Sequence, residues 1–119
     1  MIRRSTFFGV ALCVLTLPGC ATYSDFRDRP ADYAAVTGKA PQVYVECVLP
    51  RWMDTNAASH IVHDGDRRVI VVPVGGGTPT QVLMTLEASP TANGSRIEMK
   101  HMPSLSKFEK QWRQAQACL

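Results

Sequence analysis

Residues 59–74, with the sequence SHIVHDGDRRVIVVPV, decide the fold of this chain. A run rich in β-branched residues covers positions 59–63, Asp64-Gly65 follows, and a second run rich in valine covers positions 66–74. An Asp-Gly pair between two such runs favours a tight turn, because glycine adopts a positive φ without steric cost. The stretch therefore predicts a β-hairpin.

Two more strands are expected after the hairpin. Residues 75–79 are typical of a loop, and residues 80–88 place apolar side chains at alternate positions. Asn93-Gly94 predicts a second turn, which leads into a strand over residues 96–102. Four strands adjacent in sequence predict an antiparallel meander.

The last predicted strand has two unlike faces. Ile97 and Met99 point to one side, whereas Arg96, Glu98 and Lys100 point to the other. Antiparallel sheets commonly have one buried and one solvated face. We therefore expect the charged side of this sheet to face solvent.

A helix is expected on each side of the meander. Around residues 42–57 the apolar positions fit both a strand and a helix, and Pro50 opposes one uninterrupted helix while being tolerated in a first turn. A helix over residues 46–57, or a longer kinked helix, is the favoured interpretation, and a strand over residues 42–49 stays open. After Pro103-Ser104 an apolar stripe at spacings of three and four predicts a C-terminal helix; its members are Leu105, Phe108, Trp112, Ala115 and Leu119.

The N-terminus has the three parts of an export signal. Arg3 and Arg4 precede the apolar run of residues 7–17, which ends in Leu17-Pro18-Gly19-Cys20. The run is much shorter than the roughly 20 residues that a membrane-spanning helix needs. With Leu three residues before Cys20 and Gly directly before it, this segment resembles the lipobox of bacterial lipoproteins, although Pro18 departs from the usual small residue.

That resemblance implies a lipid anchor and a location in the cell envelope. Cys20 would carry the lipid and become the first residue of the mature protein, and two or three acyl chains hold a protein stably at a membrane. Ala21, where an Asp would signal retention in the inner membrane, implies the periplasmic face of the outer membrane. The predicted organisation is a signal peptide over residues 1–19, a flexible tether over residues 20–41 and an α+β periplasmic domain over residues 42–119.

The charged residues and cysteines outside the signal peptide bear on the class of partner and on the state of the thiols. Without Arg3 and Arg4, 11 of the 13 basic side chains remain against 10 acidic ones, so the charge gives no indication of nucleic-acid binding. If Cys20 takes the lipid and Cys13 leaves with the signal peptide, Cys47 and Cys118 are expected to form a disulfide in an oxidising compartment. A catalytic or metal-binding cysteine is the alternative, and no CxxC pair supports it.

A second resemblance concerns the domain itself. Cys47, Trp52 five residues later and Cys118 at the end of the terminal helix are similar to the pattern of a loose group of small proteobacterial lipoproteins of unknown function. The resemblance implies the predicted fold class: an α+β unit in which an N-terminal and a C-terminal helix lie on one face of a four-stranded antiparallel meander and are linked by the disulfide. It implies no activity.

Few side chains suggest chemistry. His60, His63, Asp64 and Asp66 form the densest group of metal-ligand types, but His60 and His63 would point to opposite faces of a strand. Gly75-Gly76-Gly77-Thr78 lacks the lysine and the helix of a phosphate-binding loop. We therefore predict no metal, no cofactor and no catalytic residue, and expect a non-enzymatic binding or structural module of the envelope; an inhibitor or immunity protein against a periplasmic toxin or hydrolase is the alternative.

Overall fold

The computed structural model of the chain describes residues 23–74, 81–103 and 108–119. Its elements, in chain order, are α1 (Tyr23–Arg27), β1 (Tyr33–Thr37), α2 (Pro41–Met53), β2 (His60–Asp64), β3 (Arg67–Pro73), β4 (Val82–Thr91), β5 (Gly94–His101) and α3 (Glu109–Gln116). None of the helices in these residues is long and apolar enough to cross a membrane. The predicted α+β class is confirmed.

The hairpin predicted from residues 59–74 is present. Strands β2 and β3 are antiparallel, Asp64 lies opposite Arg67, and Gly65 and Asp66 form the two-residue loop between them. Gly65 has a φ of 61° and Asp66 does not have a positive φ, which is the pattern of a hairpin turn with glycine at its first central position. The turn therefore lies one residue later than the Asp64-Gly65 pair alone indicated.

The prediction of a four-stranded sheet was wrong, because the sheet has five antiparallel strands in the order β1-β5-β4-β3-β2. The additional strand β1 pairs with β5, from Tyr33 opposite Met99 to Thr37 opposite Ser95. Residues 23–27 and 33–37 lie within the predicted tether of residues 20–41, but they form α1 and β1. The five residues of β1 have too short a pattern to predict a strand, and the backbone edge of β5 supplies their hydrogen-bonding partners.

The helical interpretation of residues 42–57 is confirmed with different bounds. Helix α2 runs from Pro41 to Met53 and has proline in its first turn, where the missing N–H has no helical partner to lose. Pro50 lies inside the helix, three residues before its end. One face of α2 is buried along the length of the helix. The packing of that face on the sheet therefore outweighs the local cost of Pro50.

Helices α2 and α3 pack together over one face of the sheet. The hydroxyl of Tyr44 donates to the carbonyl oxygen of Ala115 at 2.9 Å, and burial raises the pKa of that tyrosine. The largest fully buried side chains of this core are Tyr44, Trp52, Ile70, Leu86, Ile97 and Met99. Helix α3 begins at Glu109, later than predicted, while Leu105 of the predicted stripe lies outside the described residues.

The opposite face of the sheet is not simply solvated, which corrects the prediction made from β5. A second cluster of buried apolar residues lies there, formed by Phe26 of α1 with Val69, Val71 and Val82. Lys100 is only 3% exposed and Glu87 only 4% exposed, whereas Arg96 keeps much of its surface in solvent. Helix α1 covers part of this face and removes those two charged side chains from water.

Gly94 is required where the β4–β5 turn meets the end of β1. Its φ is 151°, and an added Cβ would lie 2.1 Å from the carbonyl oxygen of Thr37 and 2.7 Å from backbone atoms of Gly38. No side chain fits so close to a neighbouring backbone. The glycine predicted for its turn conformation therefore also permits β1 to approach the hairpin.

Candidate functional site

The predicted pairing of Cys47 with Cys118 is present. The two residues are 71 positions apart, their Cα atoms are 5.9 Å apart and their sulfur atoms are bonded. The bond joins the middle of α2 to the segment just after α3, and the ammonium group of Lys39 donates to the carbonyl oxygen of Cys118. The disulfide therefore fixes the C-terminus of the chain against the helical layer.

The residues considered as metal ligands are not brought together. The ring of His60 contacts the carbonyl oxygen of Ala58 at 3.0 Å, and Asp64 pairs with Arg67 at 2.9 Å. His63 is an exposed residue two positions before the turn that contains Asp66. Within residues 23–74, 81–103 and 108–119 there is no group of three or more histidine, cysteine, aspartate or glutamate side chains placed to hold a metal ion.

His101 lies in a layer of rings at the end of β5. Its ring is stacked on Phe108 with the centroids 4.5 Å apart, and it lies 6.2 Å from Tyr33. Its Nε2 is 3.7 Å from a carboxylate oxygen of Asp32, while Nδ1 contacts the carbonyl oxygen of Met102 at 3.0 Å. The histidine therefore joins the connection before β1 to the start of the C-terminal segment.

The two tryptophans have different neighbours. Trp112 stacks on Tyr33 at a centroid distance of 5.2 Å. Trp52 donates from its indole nitrogen to the carbonyl oxygen of Gln111 at 3.2 Å. Both tryptophans are buried, at 2% and 9% exposed, and each has its own partner, which lies on α3 for Trp52 and on β1 for Trp112.

Buried charges lie beneath α1, at a place that the sequence did not indicate. The ammonium group of Lys100 is 3.1 Å from one oxygen of Glu87, and the guanidinium of Arg67 donates to the other oxygen. Arg67 also donates to Asp64 at 2.9 Å. Opposite charges with shared hydrogen bonds offset the cost of removing each from water.

This ionic network holds α1 by both of its ends. At the first residue of the helix, the hydroxyl of Tyr23 donates to Asp64 at 3.0 Å. At the last, the carbonyl oxygen of Arg27 accepts from Lys100 at 3.0 Å. Desolvation, together with the bond to Asp64, raises the pKa of Tyr23 to about 12, so the hydroxyl stays protonated and donating even at pH 10, where a free tyrosine is half ionised.

A pocket opens at the end of the sheet between α2 and α3. Its cavity volume is about 170 Å³. Trp52, Val72, Met84 and Phe108 supply walls that are at least nine-tenths buried. The other lining residues are Thr55, Asn56, Leu83, Gln111 and Gln114.

One of the residues that line the pocket has an unsatisfied polar atom. Gln111 Oε1 is buried and has no hydrogen-bond partner among the residues that the structure describes. The amide of Asn56 is already used, since it donates to the carbonyl oxygen of Pro73 at 2.9 Å and accepts from the backbone N–H of Ala58 at 3.1 Å. Gln111 therefore lacks a donor in this structure, and leaving a buried acceptor unpaired costs about 1–3 kcal/mol.

No family model matches this chain, and neither a curated protein nor a solved structure matches it. Its function is therefore inferred from its own residues and their geometry. Cys20, the predicted lipid-bearing residue, and Gly75-Gly76-Gly77-Thr78 both lie outside the described residues. Sequence reasoning missed strand β1, the network under α1 and the pocket at Gln111. The aromatic residues Tyr23 and Phe26 in the predicted tether were the one signal for the network.

Proposed function

We propose that this chain is a lipid-anchored, non-enzymatic binding module on the periplasmic face of the outer membrane, and that its binding surface is the outer edge of β1, which no strand of the described residues covers. In this proposal Cys20 carries the lipid, as its place after Leu17-Pro18-Gly19 suggests. The exposure of β1 is the observation that carries the binding role. Because α1 is bonded to the sheet and follows Cys20 closely in sequence, it limits how far the module can lie from the membrane.

The anchor and the folded part of the chain are close in sequence. Tyr23, which begins α1 and bonds to Asp64 at the end of β2, is three residues after Cys20. Three residues span at most about 10 Å even when fully extended. The proposal therefore places the β2–β3 turn close to the membrane surface. A flexible tether of some 20 residues would instead hold the domain roughly 25 Å away.

Strand β1 is the less protected of the two terminal strands. Its sequence, YAAVT, contains no charged residue and no proline, Ala34 and Val36 point away from the core, and Val36 is 75% exposed. Strand β2 at the other end carries His60, His63 and Asp64. Proteins commonly protect edge strands with charges or proline, and an unprotected edge pairs readily with another strand.

The occupant that fits this edge is an extended segment of another envelope protein. Such a segment gains main-chain hydrogen bonds from an exposed edge, and pockets for its alternate side chains give specificity. A shallow depression beside Val36, lined by Thr37, Gly38, Thr91 and Asn93, supplies such a pocket. A second copy of the chain is a poorer match, because an edge of five residues is much smaller than the 20–30 residues a side of a stable protein interface.

Photo-crosslinking in cells tests this assignment. A photoreactive phenylalanine analogue is placed at Ala34, at Val36 or at Val43, which is 55% exposed on α2 and is the matched control. Because side chains on one side of a strand are two residues apart, we expect positions 34 and 36 to crosslink to two sites of one segment in one protein, also about two residues apart. Position 43 should not reach that segment.

The pattern of crosslinks separates the outcomes. Crosslinks from positions 34 and 36 to unrelated proteins, or to β1 of a second copy, would contradict the proposal. The substitution Val36→Asp should remove capture, because a carboxylate would have to be desolvated against the incoming strand. A captured toxin or hydrolase whose activity falls on binding would make inhibition the specific form of this function.

A further inference from the structure

We propose that the pocket between α2 and α3 is a binding site for a small aromatic molecule with one hydrogen-bond donor, of the size and chemistry of phenol. The volume of the pocket, the nature of its walls and the unsatisfied oxygen of Gln111 each select one property of that ligand. The inference does not depend on the anchor or on the edge of β1.

The volume sets the size. The cavity of about 170 Å³ is slightly larger than an apolar cavity of about 150 Å³ that accommodates benzene. It is too small for most drug-sized ligands, whose pockets are about 300–1,000 Å³. A single six-membered ring with one substituent therefore fits.

The walls select an apolar, planar ring. The indole of Trp52 and the ring of Phe108 line the pocket together with the flexible side chain of Met84 and the branched side chain of Val72. Aromatic faces and edges attract a ligand ring beyond its area of burial, and a methionine sulfur adds favourable contacts with a ring. An aliphatic ligand of equal volume gains less from these walls.

Gln111 selects the donor. Its Oε1 is buried and has no partner in the described part of the chain, and the last torsion of a glutamine side chain has a broad energy minimum. The terminal amide therefore turns toward the pocket at small cost when a donor is offered there. A ligand O–H or N–H then satisfies the acceptor, whereas a ligand with no donor leaves it unpaired.

Methyl NMR of the full-length protein in detergent micelles tests the assignment with phenol and toluene as probes. The methyl group of Met84 reports on the pocket, and that of Met99, which is buried in the same core and does not line the pocket, is the internal control. We expect a saturable shift of the Met84 signal with each probe and an unchanged Met99 signal. One neutral hydrogen bond corresponds to a preference of about fivefold to tenfold for phenol in the ratio of apparent affinities.

Two matched substitutions show whether Gln111 supplies that preference. Gln111→Met keeps the length of the side chain and removes the acceptor, so the ratio of phenol to toluene affinity should fall by about fivefold to tenfold. Gln114→Met changes another glutamine of the lining and should keep the ratio of the unsubstituted protein. Because the probes partition into detergent to different extents, each affinity is calculated from the free aqueous concentration of its probe.

Three results would overturn the proposal. The first is a Met84 signal that neither probe shifts at the highest concentration used. The second is the same ratio of phenol to toluene affinity in the unsubstituted protein and in Gln111→Met. If that variant does not fold, the unsubstituted protein still gives a test with anisole, which has the oxygen of phenol without its hydrogen. Anisole binding as tightly as phenol is the third overturning result, and at least fivefold weaker binding is the expected one.

Discussion

Removing the disulfide is expected to cost this protein a large part of its stability. The double substitution Cys47→Ala with Cys118→Ala opens a covalent loop whose ends are 71 residues apart. At 25 °C the chain-entropy relation for a loop of that length gives about 4 kcal/mol of stabilisation. A small domain has about 5–15 kcal/mol of stability in total, so the bond supplies between about a quarter and four fifths of it.

Alanine is the appropriate replacement because Cys118 is fully buried, and a serine hydroxyl there would add its own cost of desolvation. The missing sulfur atoms leave a small void, which costs up to about 1 kcal/mol more. The unsubstituted protein unfolded under reducing conditions keeps both sulfur atoms and separates this term from the loop entropy.

Urea unfolding followed by tryptophan fluorescence measures the effect, since Trp52 and Trp112 are both buried. We expect the free energy of unfolding to fall by about 4 kcal/mol on reduction, and the m-value to rise because the open chain exposes more surface when it unfolds. Reductant should not change the double variant. A loss below about 1 kcal/mol on reduction would refute the reasoning, because it would mean that the bond does not restrict the unfolded chain.

Three further predictions concern the second face of the sheet and its turns. Glu87→Leu should destabilise the fold by about 3–5 kcal/mol because it leaves Lys100 buried without its carboxylate, and adding Lys100→Met should recover much of that loss in the same urea assay. The pKa of Tyr23 is raised from 10.0 to about 12 in the folded protein, so the stability that its hydroxyl contributes is complete below pH 10 and is lost as the pH rises toward 12. The free energy of unfolding should therefore fall less steeply between pH 10 and 12 in Tyr23→Phe than in the unsubstituted protein. Equal slopes would exclude a stabilising role for the hydroxyl. Gly65→Ala should cost about 1–2 kcal/mol for its positive φ alone, and Gly94→Ala should cost more, because the new Cβ also meets backbone 2.1 Å away; equal thermal stabilities of the two variants would contradict the close approach.

The elements that could be predicted are those whose residues carry their own structural preference. The β2–β3 hairpin follows from two β-branched runs around Asp64-Gly65, and that signal needs no knowledge of the rest of the fold. The stripe of Trp112 and Ala115 predicted a helix in the same way. The disulfide followed from the compartment implied for the chain and from the number of remaining cysteines.

The elements that were missed depend on contacts between distant segments. Strand β1 has no alternation long enough to be recognised, and it is ordered by pairing along β5. Lys100 and Glu87 lie on strands whose charged positions indicate solvent, and only the placement of α1 over them makes them a buried pair. The bounds of α2 could not be fixed either, because packing of its buried face overrides the local effect of Pro50.

The pocket was beyond sequence reasoning for a related reason. Its walls come from α2, from two strands and from the segment that leads into α3, and no local pattern shows that these segments meet. Gln111 borders the predicted stripe, three residues after Phe108 and four before Ala115, and nothing in the sequence distinguishes it from the other glutamines of the helix. Only the three-dimensional arrangement makes its Oε1 a buried atom without a donor.

Intact-mass and peptide mass spectrometry of the protein purified from the outer-membrane fraction tests the proposed anchor. In this proposal the mature chain begins at Cys20 and is held by lipid on that residue, three positions before α1. We expect an N-terminal peptide that starts at Cys20 and carries a diacylglyceryl group on its sulfur. A mature chain cut at another residue, with an unmodified thiol at Cys20, would contradict it.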